Sequence, residues 1–135
     1  MTEIRGVLDT APLIACIMGR RRSLGRAAAR EWAKVETGRG RFAVPTVCLF
    51  EIAQLEDRGA LRLGLPFEAW CDLVEQAPGF VVVPLERAHV SEARALPSLR
   101  DPFDRLVAGT AVALGVPLVT ADARIAAHGR VRVLW

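Results

Sequence analysis

The sequence predicts an α/β layered fold, with a mostly parallel five-stranded sheet flanked by helices on both sides. Five short β-type runs alternate with helical runs along the chain. Those runs are mostly continuous in apolar character, as strands covered on both faces are. Helical segments separate successive runs, and parallel neighbours need such crossovers. At 135 residues the chain is expected to form one domain, 1–135. No repeat, low-complexity stretch or linker marks a second.

Ile4-Arg5-Gly6-Val7-Leu8 reads as the first strand, stopped by Asp9-Thr10. Pro12 fits the first turn of a helix that runs to about Met18. Ser23 stands as the N-cap of a second helix through about Glu36, ended by Gly38. Phe42-Ala43-Val44 is a short second strand, and Pro45-Thr46 opens a third helix that Gly59 closes. Leu65-Pro66 opens another helix through about Gln76, with Trp70 and Leu73 on one face. Phe80-Val81-Val82-Val83 is the third strand, expected to be buried on both faces. Glu86 to Leu96 is helical until Pro97, and Asp101-Pro102 starts a helix that runs to Gly115. Pro117-Leu118-Val119 is the fourth strand and Val131-Arg132-Val133-Leu134 the fifth. A short helix, about Asp122 to Ala127, lies between them.

Composition excludes several classes. Hydrophobic residues make up 52% and charged residues 24%, which is incompatible with wholesale disorder. No apolar run approaches the roughly 20 residues of a membrane-crossing helix, so no membrane role is expected. Met1-Thr2-Glu3-Ile4-Arg5 has no basic segment leading into an apolar stretch, so the cytoplasm is the expected compartment. Cys16, Cys48 and Cys71 are far apart in apolar surroundings and read as small buried hydrophobes. Lys34 is the only lysine; the other 17 basic residues are arginine, and the net charge is +3. Arginine's planar fork suits phosphate, so a nucleic-acid partner is permitted but not established.

Ligands of an open parallel sheet bind beyond the carboxyl ends of its strands. Asp9 follows the first strand, Glu51 lies in the helix after the second, and Asp122 follows the fourth. Asp104, in the first turn of the helix before the fourth strand, can join them. Gathered carboxylates repel and raise one another's pKa, and a hard divalent cation such as Mg²⁺ or Mn²⁺ compensates them. Such an ion activates water and neutralises charge developing on a phosphate. Each acid also has a structural reading. Asp101 caps its helix with Pro102 at the first position, and Asp104 can complete a capping box. Asp9 and Asp122 can cap the helices that follow them. Glu51 sits among Val47, Ile52 and Leu55, where a buried carboxylate needs a partner, either an arginine or a metal.

Together these segments resemble the PIN domain, and within it the VapC-type toxins of type II toxin–antitoxin pairs. Val7-Leu8-Asp9-Thr10 is similar to the family's opening strand and Val44-Pro45-Thr46-Val47-Cys48-Leu49-Phe50-Glu51-Ile52-Ala53 to its second motif. Asp101-Pro102-Phe103-Asp104-Arg105-Leu106-Val107-Ala108 is the most specific piece, matching one VapC-like subgroup. Leu118-Val119-Thr120-Ala121-Asp122 resembles the closing motif, and Val131-Arg132-Val133-Leu134-Trp135 the last strand. Two positions depart from the pattern: Pro45 stands where serine is usual, and Gly109-Thr110 where the subgroup often has Ala-Gln. The resemblance implies a PIN-like three-layer sandwich and a Mg²⁺- or Mn²⁺-dependent endoribonuclease. Asp9, Glu51, Asp104 and Asp122 would be its catalytic metal ligands, and Thr120 the hydroxyl that steadies the first acid. It further implies an RNA substrate, a homodimer, and a cognate antitoxin whose C-terminal segment blocks the acidic cleft.

From Arg20 to Arg41 eight basic residues face only Glu31 and Glu36. Arg22, Arg26, Arg30 and Lys34 repeat every four residues and form one basic helical face. RNA contact, a solvated surface helix and an acidic partner segment are the readings of that stripe. His89 and His128 share no metal-ligand spacing and are expected at the surface or behind the site. Trp32, Trp70 and Trp135 read as core or interface anchors. An aspartyl-phosphate enzyme would need a lysine near a late strand, and none follows Lys34. The alternative from another class is a non-catalytic PIN-like module that binds RNA or protein.

Overall fold

Continuous apolar runs at Ile4–Leu8 (β1), Arg41–Pro45 (β2), Phe80–Val83 (β3), Leu118–Val119 (β4) and Val133–Leu134 (β5) form one sheet in the order β3-β2-β1-β4-β5. Every pairing is parallel. The computed structural model describes residues 3–135. Met1 and Thr2, which begin the segment read as lacking a leader, lie outside the described residues. Among the described residues seven helices connect the strands: Thr10–Ile17 (α1), Arg26–Glu36 (α2), Thr46–Asp57 (α3), Phe67–Gln76 (α4), Arg87–Arg94 (α5), Pro102–Leu114 (α6) and Ala123–Ala126 (α7). No helix among the described residues is long and apolar enough to cross a membrane.

From β1 the chain first builds outward through β2 to β3, then returns to place β4 on the other side of β1. The order therefore reverses between β1 and β4, and such a reversal leaves a crevice at the carboxyl ends of the strands. Val7, Leu8, Ala43, Val44, Leu118 and Val119 from the inner strands are shut off from solvent. Removing a Val or Leu side chain from water contributes about 1.5–3 kcal/mol, so these strands are a rigid base for whatever follows them.

The structure departs from the sequence reading where tertiary contacts override local signals. The second helix begins after Gly25, not at Ser23, which lies in a separate 3-10 turn, Arg21–Ser23. The chain's end is the cause. Ala27 N donates to Trp135 O at 2.9 Å, and a Cβ on Gly25 would stand 2.4 Å from Trp135. Arg22 therefore leaves the helical stripe, which keeps Arg26, Arg30 and Lys34. In β3 only Phe80 is buried and the three valines are half-exposed, because β3 is the outer edge of the sheet. On α4 the buried face is Trp70, Cys71 and Val74, and Leu73 is 57% exposed. His89 is buried, not superficial: its Nδ1 accepts from Glu86 N at 3.2 Å in the first turn of α5. The three cysteines are free and buried, and burial pushes the Cys16 and Cys48 thiols up to about 12, so they act as small apolar groups.

Candidate active site

Two bonds bring the ends of β1 and β4 together. Asp9 N donates to Val119 O at 3.1 Å, and the Thr120 hydroxyl donates to Asp9 Oδ2 at 2.8 Å. The same hydroxyl oxygen accepts from Asp122 N at 3.1 Å. Thr120, 2% exposed, thereby sets the positions of both acids at the reversal point. Asp9 is also the N-cap of α1, its Oδ1 accepting from Thr10 N at 2.9 Å.

Glu51 reaches the same place from the second crossover. Cys48 Sγ lies 3.5 Å from Leu8 O, docking the first turn of α3 on the end of β1. One turn later Glu51 Oε1 accepts from the Thr10 hydroxyl. The sequence left the partner of this carboxylate open between arginine and metal, and the protein partner is a threonine. Thr10 is 6% exposed, and within the opening motif the sequence assigned a role to Asp9 alone.

Asp104 arrives on α6, whose N-terminus is held by Asp101. Asp101 Oδ1 accepts from Phe103 N at 2.8 Å and from Asp104 N at 3.1 Å. Among the described residues no reciprocal bond runs from Asp101 N to the Asp104 side chain, so the capping box is not completed. Arg105, next along the motif, donates from Nε and a terminal nitrogen to Ala93 O at 3.2 and 2.9 Å. Its fork ties α6 to α5 and does not serve the acids. The Asp104 carboxylate lines a cavity of about 230 Å³ together with Asp9, Glu51, Thr10, Ala11, Ile14 and Leu55. Its pKa is pushed up to about 6, first by burial and then by Asp101, Asp9, Asp122 and Glu51. That is what gathered, uncompensated carboxylates do.

Asp122 stands apart from the other three. It caps α7, accepting from Arg124 N at 2.9 Å. The Arg124 guanidinium bonds both its oxygens, at 3.2 and 2.9 Å, and lies 3.7 Å from Asp104 Oδ2. This contact holds the Asp122 carboxyl below its ordinary value. An arginine seated among Asp9, Glu51 and Asp104 would leave no place for an ion. Arg124 is instead 78% exposed and lines a second, adjoining cavity. Among the described residues no three His, Cys, Asp or Glu side chains already close around a single point as a metal cage. Asp9, Glu51 and Asp104 border one space, with Thr120 and Thr10 bonded to Asp9 and Glu51, while Asp122 and Arg124 line the cavity beside it.

An aromatic pair went unread in the sequence. Phe50 and Phe103, the residues before Glu51 and Asp104, meet at 6.0 Å and 51°, and Phe50 is 56% exposed. Of the basic stripe, Arg26 and Arg30 are exposed, and Lys34 is 3.3 Å from Glu31. Helix α2 runs from the end of β5, where it meets Trp135, to the starts of β2 and β3, where Trp32 stacks on Phe42 and Phe80. Its Arg26 end therefore lies at the sheet edge that carries the acids.

The PIN domain signature matches residues 6–131, nearly the whole chain. The chain belongs to the PIN domain family. Ribonuclease VapC22 of Mycobacterium tuberculosis is 35% identical over 89 residues, 64% of this chain and 67% of that protein. This agrees with the VapC-type likeness carried by Asp101–Ala108. Two solved structures share the PIN fold along 96% of the chain. VapBC2 from Rickettsia felis bound to a promoter DNA fragment has a TM-score of 0.68 at 12% identity, with 97% of that chain covered. VapBC from Salmonella typhimurium bound to DNA has 0.65 at 16%, with 96% covered. The parallel five-stranded sheet flanked by helices is thus the PIN architecture, as expected from the sequence.

Proposed function

We propose that this PIN domain is a Mg²⁺- or Mn²⁺-dependent endoribonuclease, the toxin of a toxin–antitoxin pair, with Asp9, Glu51, Asp104 and Asp122 as its acidic centre. The observation that carries the reading is the cavity bordered by Asp9, Glu51 and Asp104 at the strand-order reversal, where the Asp104 carboxyl rises to about 6 among its acidic neighbours. An all-oxygen set with excess negative charge suits a hard divalent ion and excludes a soft one. When bound, that ion supplies an activated water and charge neutralisation at the phosphate.

The protein's own part is positioning. Thr120 holds Asp9, and Thr10 holds Glu51, so neither carboxylate rotates freely. The cap at Asp101 fixes the first turn of α6 and with it Asp104. Arg124 already bonds both oxygens of Asp122, which lies outside the cavity of the other three, so Asp9, Glu51 and Asp104 form the primary set. No Ser-His or Cys-His pair is required by this scheme, and the buried, protonated cysteines take no part. An antitoxin protein is the partner we infer, since the similar structures include VapBC complexes and a toxin–antitoxin complex from Klebsiella pneumoniae, 15% identical at a TM-score of 0.62 over 96% of each chain.

Purified protein is expected to cut single-stranded RNA with Mn²⁺ or Mg²⁺ and to stop in EDTA. Asp9→Asn and Asp104→Asn are each expected to abolish cutting while circular dichroism stays that of the wild type. Undiminished cleavage by both variants overturns the assignment.

A further inference from the structure

Asp104 borders two cavities. One is the acid pocket; the other, of about 370 Å³, opens beside it between the start of α6 and the end of α7. We propose that this second cavity is a nucleotide subsite, seating the RNA nucleotide next to the cleaved phosphate, with Arg100 and His128 as its recognition residues. The proposal rests on the endoribonuclease reading and assigns to it a specificity determinant that the acids do not supply.

The volume is at the lower end of small-molecule sites, roughly 300–1,000 Å³, and suits one nucleotide, not a helix or folded segment. Leu99 and Ala127 line it with apolar surface against which a base can lie. Its polar lining combines the carboxylates of Asp101, Asp104 and Asp122 with donors, three of which have no donor bond to the protein among the described residues. Arg100 is exposed, and among the described residues its guanidinium makes no hydrogen bond or ion pair. His128 is half-buried; Nδ1 accepts from Arg130 N at 3.4 Å, and among the described residues the other ring nitrogen has no partner. The Ser98 hydroxyl is likewise uncommitted among those residues. Arg124, by contrast, spends its fork on Asp122 and cancels that charge on the cavity wall. Arg100 is left as the cation available to a phosphate, which its planar fork binds through two bonds. Because the cavities meet at Asp104, a strand whose phosphate lies among the acids continues directly into this space.

The test is binding of a fluorescein-labelled single-stranded RNA oligonucleotide in EDTA, where no cutting occurs, followed by cleavage of a randomised RNA pool with Mn²⁺. Arg100→Gln and His128→Gln are compared with Arg62→Gln, an exposed arginine in the α3–α4 connection. Arg100→Gln and His128→Gln are each expected to weaken binding about five- to twenty-fold, as loss of a recognition contact does. Arg100→Gln should also flatten the log–log salt dependence by about 0.7, the value for one phosphate contact on a single strand. With Mn²⁺, KM should rise with kcat nearly unchanged for both variants, and His128→Gln should relax base preference at one position beside the cut. Arg62→Gln should behave as wild type. Should wild type cut RNA while Arg100→Gln keeps its affinity and salt slope and His128→Gln keeps its base preference, the subsite is overturned and the nuclease stands. Should wild type never cut while Arg100→Gln still weakens RNA binding as stated, the nuclease reading falls and the nucleotide site stands.

Discussion

Asp104 shows how one side chain carries opposed demands. Its carboxyl titrates near 6 in the folded protein and near 3.8 as an ordinary aspartate, chiefly because it is partly buried and secondarily because four acids face it. The native state therefore holds the proton more tightly than the unfolded chain. Stability is highest below pH 3.8 as far as this group is concerned, falls as pH rises between 3.8 and 6, and stays reduced above 6. After discounting for partial exposure, the cost at neutral pH is about 1–2 kcal/mol. Asp104→Asn in EDTA is expected to be more stable than wild type by that amount at pH 7.5, with the gap closing towards pH 4. Urea denaturation at both pH values measures it, and equal gaps would contradict the assignment of cause. Thr120 works in the other direction, towards order. Thr120→Val removes the donor to Asp9 and the acceptor for Asp122 N. Mn²⁺ affinity, read by calorimetry, is expected to drop about 10–100-fold, the usual effect of losing a group that orients a metal ligand. The Asp9 and Asp104 positions were readable from their places after a strand and a cap. The threonine at position 10 was not, because a hydroxyl beside an acid is unremarkable until the fold brings Glu51 to it.

Helix α6 illustrates what a segment's sequence does and does not disclose. Its start, Asp101-Pro102, and its stop at Gly115, left-handed with φ 69°, are local signals and were legible. Its packing was not. A Cβ on Gly109 would come within 2.6 Å of His89 O and 2.8 Å of Ala93 N, both backbone atoms of α5 that cannot yield cheaply. The departure from Ala at this position therefore marks unusually close contact between two helices, which Arg105 reinforces from the same side through Ala93 O. Gly109→Ala is expected to destabilise by about 2 kcal/mol through overpacking, measurable as a lower urea midpoint at unchanged slope. Cleavage should fall with it, since α6 carries Asp104. Helix α2 teaches the converse. Ser23 is a good capping residue, yet contact with Trp135 starts the helix at Arg26.

Across the whole chain, charge is divided along the sheet. The acids sit at the carboxyl ends of β1 and β4, and the basic helix α2 crosses from that edge towards the opposite one. Arg26 and Arg30, exposed on that helix, are the residues through which RNA contact by the stripe is tested. Arg26→Gln/Arg30→Gln is expected to weaken RNA binding uniformly across sequences and to reduce the salt slope by about 1.4. An unchanged slope would return the stripe to the status of a solvated surface helix. Uniform weakening here, against altered base preference at His128, separates backbone attraction from nucleotide recognition.

Strand and helix alternation, the apolar character of the inner strands, the acid after β1 and the cap at Asp101 were all readable along the chain, because each depends on neighbours within a few positions. The family likeness followed from those same local motifs in order. Contacts between distant positions decided the rest: that Thr10 rather than arginine meets Glu51, that Arg124 claims Asp122, that β3 is an edge and Leu73 is exposed, and that Asp104 borders two cavities. Hydrophobic periodicity reports which face of an element is covered, but not which element covers it. The partners of the polar groups are chosen only when separated strands are laid side by side.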